Sequence, residues 1–182
     1  YMERSLAIDE DVGDKAGKGA SLNNIGLEYL HKGDYEKALD YYGRSFAIAE
    51  ELNAKRLMGA TLTGLGFLYL NKGGLDTALD YMERSLAVAE EIGDKRGMVR
   101  SFMGVGLVYY VKGEYETAQE YIEKSLSIQK EIGLGEGSMM LETTTYFYLA
   151  YKHLGKDYEN KHIHTLVHLR KIDRTTKQLC LT

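Results

Sequence analysis

Residues Tyr1-Met2-Glu3-Arg4-Ser5-Leu6-Ala7 recur letter for letter as Tyr81-Met82-Glu83-Arg84-Ser85-Leu86-Ala87. Midway stands Tyr41-Tyr42-Gly43-Arg44-Ser45-Phe46-Ala47, and one step further comes Tyr121-Ile122-Glu123-Lys124-Ser125-Leu126-Ser127. The chain therefore has a period of 40 residues. A unit of this length cannot bury its own apolar face, so neighbouring units must stack into one continuous core without internal domain boundaries. Within each unit the spacing is helical. Proline is absent, β-branched alternation is scarce, and Leu22, Ile25, Gly26, Tyr29 and Leu30 form one stripe while Ala38, Tyr41, Tyr42, Ser45, Phe46 and Ile48 form another.

Between the stripes, His31-Lys32-Gly33-Asp34 reads as a helix stop followed by a helix start: a left-handed glycine, then a carboxylate to take free amides. Asn71-Lys72-Gly73-Gly74 and Val111-Lys112-Gly113-Glu114 repeat the device, and Ile92-Gly93-Asp94 punctuates the join between units. Each unit is thus two antiparallel helices, A and B. The A helices are expected near 16–31, 56–71, 96–111 and 138–153, and the B helices near 35–52, 75–92, 115–132 and 158–173. Residues 1–10 make a B helix without an A partner.

The frame Leu22, Ile25, Gly26, Tyr29, Gly33, Ala38, Tyr41, Ser45 recurs as Leu62, Leu65, Gly66, Tyr69, Gly73, Ala78, Tyr81, Ser85, and again as Phe102, Val105, Gly106, Tyr109, Gly113, Ala118, Tyr121, Ser125. It resembles the tetratricopeptide repeat, in a long-helix variety similar to the repeats of kinesin light chains and spindle-orientation adaptors. The resemblance implies an all-α fold, a right-handed α-solenoid of antiparallel helix pairs. The organisation expected is one solenoid over residues 1–173, with a half repeat at 1–12, full repeats at 13–52, 53–92 and 93–132, and a degenerate capping repeat at 133–173. Thr144, Phe147, Tyr148, Tyr151 and Gly155 keep the outline of that last unit, and residues 174–182 are read as a tail lacking order. Mid-helix glycine costs about 1 kcal/mol against alanine. Gly26, Gly66 and Gly106 are therefore expected to admit a close B helix, with Ala38, Ala78 and Ala118 as the small partners.

In such repeats the A helices line a concave, peptide-binding face. The positions resembling contact sites include Asn23, Asn24, Leu27, Leu30, Thr63, Phe67, Leu70, Arg100, Met103, Leu107 and Tyr110. A cationic clamp for a terminal carboxylate would have only Asn23, Asn24 and Arg100 to draw on, which argues against that ligand. Of an asparagine ladder Asn24 makes one rung, while Gly64 and Gly104 stand where the next would be. The remaining groove, Leu27, Leu30, Phe67, Leu70, Leu107 and Tyr110 with Met103 as adaptable lining, suits the apolar face of an amphipathic helix. Helical spacing reports burial without naming the partner, so packing between A helices stands as the competing reading. The B-helix face carries Asp40, Glu50, Glu51, Asp80, Glu83, Glu90 and Glu91 beside Arg44 and Arg84, a solvated face.

Other chemistry is thinly represented. His164 and His168 share a helical turn, but no third ligand or outer shell is placed to complete a metal site. Gly64-Leu65-Gly66 lies inside a helix without a preceding strand, so it is no dinucleotide loop. No phosphate-binding loop or serine elbow is present, and no cofactor is implied. A net charge of −4 argues against a nucleic-acid binder, although residues 151–182 are locally basic. The single cysteine, Cys180, fits a reducing, cytoplasmic setting. No apolar run approaches the roughly 20 residues of a membrane helix. The start at Tyr1, inside a repeat, reads as a fragment of something longer. The expectation is a non-enzymatic scaffold binding a protein or peptide partner through its A helices. The alternative is a self-assembling segment whose exposed solenoid ends, with Leu6 and Ile8 on the unpaired N-terminal helix, join copies into a homo-oligomer.

Overall fold

The computed structural model describes residues 15–133. The half repeat at the N-terminus, the fourth unit with its histidines, Cys180 and the tail lie outside the described residues. The described chain is six helices: α1 Lys15–His31, α2 Tyr35–Glu51, α3 Lys55–Asn71, α4 Leu75–Glu91, α5 Lys95–Lys112 and α6 Tyr115–Glu131. Helices α1, α3 and α5 are the A helices and the others the B helices. No strand occurs among the described residues.

Their ends follow the expected punctuation. Gly33 closes α1 at φ 76°, and Asp34 caps α2 by accepting the Lys37 amide at 3.2 Å. Asp94 does the same for α5 through the Gly97 amide at 3.1 Å. The join between the first two units uses Asn53 at φ 48°, the left-handed corner that Gly93 takes one unit later. Asparagine is the side-chain-bearing residue that tolerates this region best. Consecutive helices pack in antiparallel pairs, and α3 also packs on α1 and α5. At one edge each A helix is tied at its first residue to the last residue of its B partner: Lys15 to Glu51 at 2.5 Å, Lys55 to Glu91 at 3.2 Å, and Lys95 to Glu131. At the opposite edge tyrosines stack across each pair, Tyr29 on Tyr41 and Tyr69 on Tyr81 at 5.4 Å and Tyr109 on Tyr121 at 5.7 Å.

The mid-helix glycines serve a different neighbour from the one expected. A Cβ on Gly26 would fall 2.8 Å from the Tyr42 ring, and one on Gly66 2.8 Å from Met82. The small alanines are fully buried, but at the first two glycines the nearest atoms belong to Tyr42 and Met82. At Gly106 the expected partner is among the nearest atoms, with the Ala118 carbonyl 3.2 Å away behind Ile122 at 2.7 Å. The same key residues reach the next unit. Tyr42 lies 2.6 Å from a Cβ on Gly64, and Met82 fills the equivalent hollow at Gly104. Each of these B-helix side chains is thus held between a glycine of its own A helix and a glycine of the following one. Packing at this density leaves no room for an added methyl group without displacement.

Beside the keys runs a buried set of hydroxyls. Ser45 donates to the Gly19 carbonyl at 2.8 Å and lies 3.1 Å from Thr61 Oγ1 on the next A helix. Ser85 donates to the Gly59 carbonyl at 2.8 Å, with Thr63 Oγ1 at 2.7 Å and Ser101 Oγ at 3.0 Å. Ser125 donates to the Val99 carbonyl at 3.0 Å. Hydroxyls buried among helices need partners of this kind, because an unmade hydrogen bond there carries the desolvation cost of the group.

Candidate partner-binding face

The A helices run parallel to one another, so their free sides form one surface with repeating chemistry. The sequence-predicted positions divide between this surface and the interior. Leu27 is exposed at 41% and Asn24 is exposed on the same helix. Phe67, Leu70, Leu107, Tyr110 and Arg100 are half-buried. Phe67 leans on a cluster of Leu30, Ala38, Tyr42, Leu65 and Leu68, which draws Leu30 down to 8% exposure. Met103 is also buried at 8%, and Thr63 is buried at 6% with its hydroxyl donating to the Gly59 carbonyl or to Ser85. Asn23 is half-buried, with its Oδ1 wholly enclosed. The open apolar strip therefore consists of Leu27, Phe67, Leu70, Leu107 and Tyr110, extended by Val111 at 54% exposure.

Gly64 and Gly104 do not belong to this strip. Both are buried as sockets for Tyr42 and Met82. Asn24 occupies the position on α1 that these glycines hold on α3 and α5. A second feature is the division of charge between layers, of which sequence reading noted the acidic B face but not the scarcity of acids on the A helices. Helix α3 carries Lys55 and Arg56 and no acid, and α5 carries Lys95, Arg96, Arg100 and Lys112 and no acid. Glu28 is the single acidic residue of α1. Acids are concentrated on the B helices, with Asp76, Asp80, Glu83, Glu90 and Glu91 against Arg84 alone on α4. The signal was in the sequence, since summing charge by helix instead of by repeat reveals it.

Some of these cations are already engaged. Lys112 bonds Asp76 at 3.1 Å, which raises its pKa, and Arg56 reaches Asp94 at 3.5 Å. Arg96 and Arg100 make no ion pair among the described residues. All three A-helix N-termini, the positive ends of their dipoles, add to the field at that edge. Burial pushes the Tyr42 phenol above its ordinary range, so it stays neutral. Burial likewise raises Tyr109, helped by the nearby Tyr121, Glu83 and Glu114. No group of three metal-ligating side chains occurs among the described residues, and no described helix is long and apolar enough to cross a membrane.

Comparison with known proteins agrees with this architecture. The family model described as tetratricopeptide repeat matches residues 1–51 and 57–131. No curated protein matches the chain. Among solved structures, the nearly identical TPR-like repeats assigned to a kinesin light chain of Podosopora anserina align at 19% identity and TM-score 0.63, covering 97% of this chain and 85% of theirs. BtubC (BKLC) from P. vanneervenii aligns at 16% identity and TM-score 0.70, covering 90% of this chain and 66% of its own. Aspartyl phosphate phosphatase F from Bacillus subtilis aligns at 17% identity and TM-score 0.69, covering 89% of this chain and 40% of its own. At these identities the likeness is one of fold.

Proposed function

The chain belongs to the tetratricopeptide repeat family, and from that premise we propose that its A-helix face binds an amphipathic segment of a protein partner whose polar residues are acidic. Repeats of this family are generally protein-interaction and scaffold modules. The observation that carries the finer reading is the coincidence, on α3 and α5, of a partly open apolar strip with cations and no acids. Leu27, Phe67, Leu70, Leu107 and Tyr110 would receive the apolar side chains, with Met103 and Leu30 as the floor beneath them. Asn24 stands exposed beside Leu27, where its amide can meet a backbone group, whereas Asn23 is half-buried and Thr63 is taken up by Gly59 and Ser85. Arg96 and Arg100 would steer the acidic residues, a contribution that speeds association and fades with salt.

Fluorescence anisotropy with a panel of labelled amphipathic peptides, matched in apolar content and graded from basic to acidic, tests this. Acidic peptides should bind more tightly, and Leu27→Glu or Leu107→Glu should weaken them at least about tenfold, as loss of a central apolar anchor does. Because Phe67 also packs on the core, Phe67→Glu is read alongside circular dichroism. A panel with no charge preference, or binding indifferent to Leu27→Glu and Leu107→Glu, would overturn the reading.

A further inference from the structure

Along α5, Arg96, Arg100, Met103, Leu107 and Tyr110 follow one another at helical spacing and so share one face. That face changes character partway, from two arginines to three largely apolar side chains. The corresponding positions of α3 are Arg56, Ala60, Thr63, Phe67 and Leu70, and those of α1 are Ala16, Ala20, Asn23, Leu27 and Leu30. Across the three helices, the level of Leu27, Phe67 and Leu107 and the level of Leu30, Leu70 and Tyr110 carry no charge. The level of Arg100 differs, because alanine stands there on α1 and α3. Arg56 is taken up by Asp94 at 3.5 Å, whereas Arg96 and Arg100 make no ion pair among the described residues. On α1, by contrast, Glu28 is exposed one residue past Leu27. The face is therefore polarised in two directions: cationic toward the N-termini of the A helices, and cationic toward α5 rather than α1.

We propose that the partner segment is a helix lying across the three A helices on the apolar levels, with its carboxylates on one flank only and over α5. The apolar levels run unbroken from helix to helix but stop short along α5, which favours a crosswise occupant. Arg100 precedes Leu107 by seven residues, two turns or about 10.5 Å along the axis. A docked helix is itself about 10–12 Å across, so one seated on Leu107 brings its flank within reach of the arginine side chains. Helix α3 packs on both α1 and α5, and axes of packed helices lie about 10 Å apart, so about 18 residues span all three with a turn to spare. This arrangement rests on the same face binding an acidic amphipathic segment, and gives that segment a direction. Flank and end are linked. Turning the helix end for end carries its acids to the opposite flank and over α1 at once. Acids on a given flank therefore meet the arginines only when they also stand in the proper half of the segment.

Four labelled peptides of about 18 residues and identical composition test this by fluorescence anisotropy at low salt. Each places its glutamates on the left or the right flank of one apolar face, in either the N-terminal or the C-terminal half. The tighter binders should be a diagonal pair, left flank with one half and right flank with the other. They should exceed the remaining two about tenfold, the scale of two partly exposed ion pairs, and the difference should shrink in salt. The Arg96→Ala, Arg100→Ala double variant should bind all four alike, with unchanged helical circular dichroism. Leu107→Glu should weaken all four, which separates the groove from its direction. Peptides that respond to Leu107→Glu yet bind the wild type alike keep the groove and overturn the polarity. A favoured pair sharing a flank or a half overturns it too, as does a preference that survives loss of both arginines. No binding by any of the four overturns both.

Discussion

The ring of Tyr42 is lodged so tightly against Gly64 that a Cβ on the glycine would lie 2.6 Å from two ring carbons. Its other side meets Gly26, so one side chain of α2 is gripped by two A helices at once.

A methyl group at Gly64 should therefore destabilise the fold. Helix propensity favours alanine by about 1 kcal/mol, but overpacking costs about 1–3 kcal/mol, and a rigid ring cannot fold aside. A net loss of up to about 2 kcal/mol is expected in urea denaturation, the overpacking cost less the propensity gain. Gly104→Ala should cost less, because it presses on the thioether end of Met82, which has rotatable bonds to yield. Gly43→Ala, where a Cβ meets nothing within 4 Å among the described residues, should gain up to about 1 kcal/mol. Equal losses at Gly64 and Gly43 would show that the sockets do not set the tolerance.

Ser85→Ala is expected to cost about 1 kcal/mol, the usual net worth of a buried hydrogen bond. The loss is contained because Thr63 and Ser101 each keep a carbonyl of their own helix, Gly59 at 3.0 Å and Gly97 at 3.1 Å. The variant's denaturation midpoint should fall by the same amount in low and high salt. A salt-dependent loss, or none, would contradict the assigned hydroxyl network.

The edge ion pairs should behave in the opposite way. In the Lys55–Glu91 pair the two side chains are 36% and 57% exposed, so Lys55→Met should cost no more than about 1 kcal/mol. That cost should disappear as salt screens the pair. A loss that persists in molar salt would mean that the lysine's stem, not its charge, is what packs.

The first-unit cap gives an acid-limb signature. The side-chain hydrogen bond from Lys37 and the Lys37 amide hold the Asp34 carboxyl below its ordinary value of 3.8. A depressed carboxyl contributes stability that is present above the unfolded pKa and lost as pH falls through the folded value. Asp34→Asn keeps a competent cap without the titration. Its melting temperature should match the wild type near neutrality and decline less steeply in acid; parallel curves would refute the linkage.

The helix ladder was legible because its punctuation is local. Gly33, Asp34, Gly93 and Asp94 stop and start helices by rules that involve only their own turn, and α1 begins within one residue of the expected boundary. What a face packs against is a non-local fact. Gly64 and Gly104 share a helix with the groove positions, and their spacing alone could not tell a missing groove side chain from a socket for the preceding unit. Gly26 and Gly66 were rightly expected to admit a close neighbour, but Tyr42 and Met82 lie one helical turn beyond the alanines that seemed the natural partners. The apolar strip was expected by resemblance, whereas the lack of acids on α3 and α5 shows only when charge is summed helix by helix.

The twice-gripped side chains also bear on how such an array can change length. Tyr42 and Met82 differ in shape, yet each fits a pair of glycines forty positions apart from the other pair. Removing forty consecutive residues between Tyr42 and Gly104 would present Tyr42 to Gly104 in place of Gly64, one glycine for another. Duplication or loss of a whole period thus creates no junction of a new kind, wherever in the period the breakpoint falls. Gene-level slippage would be accepted by the packing as it stands, while a single methyl added at one socket would not.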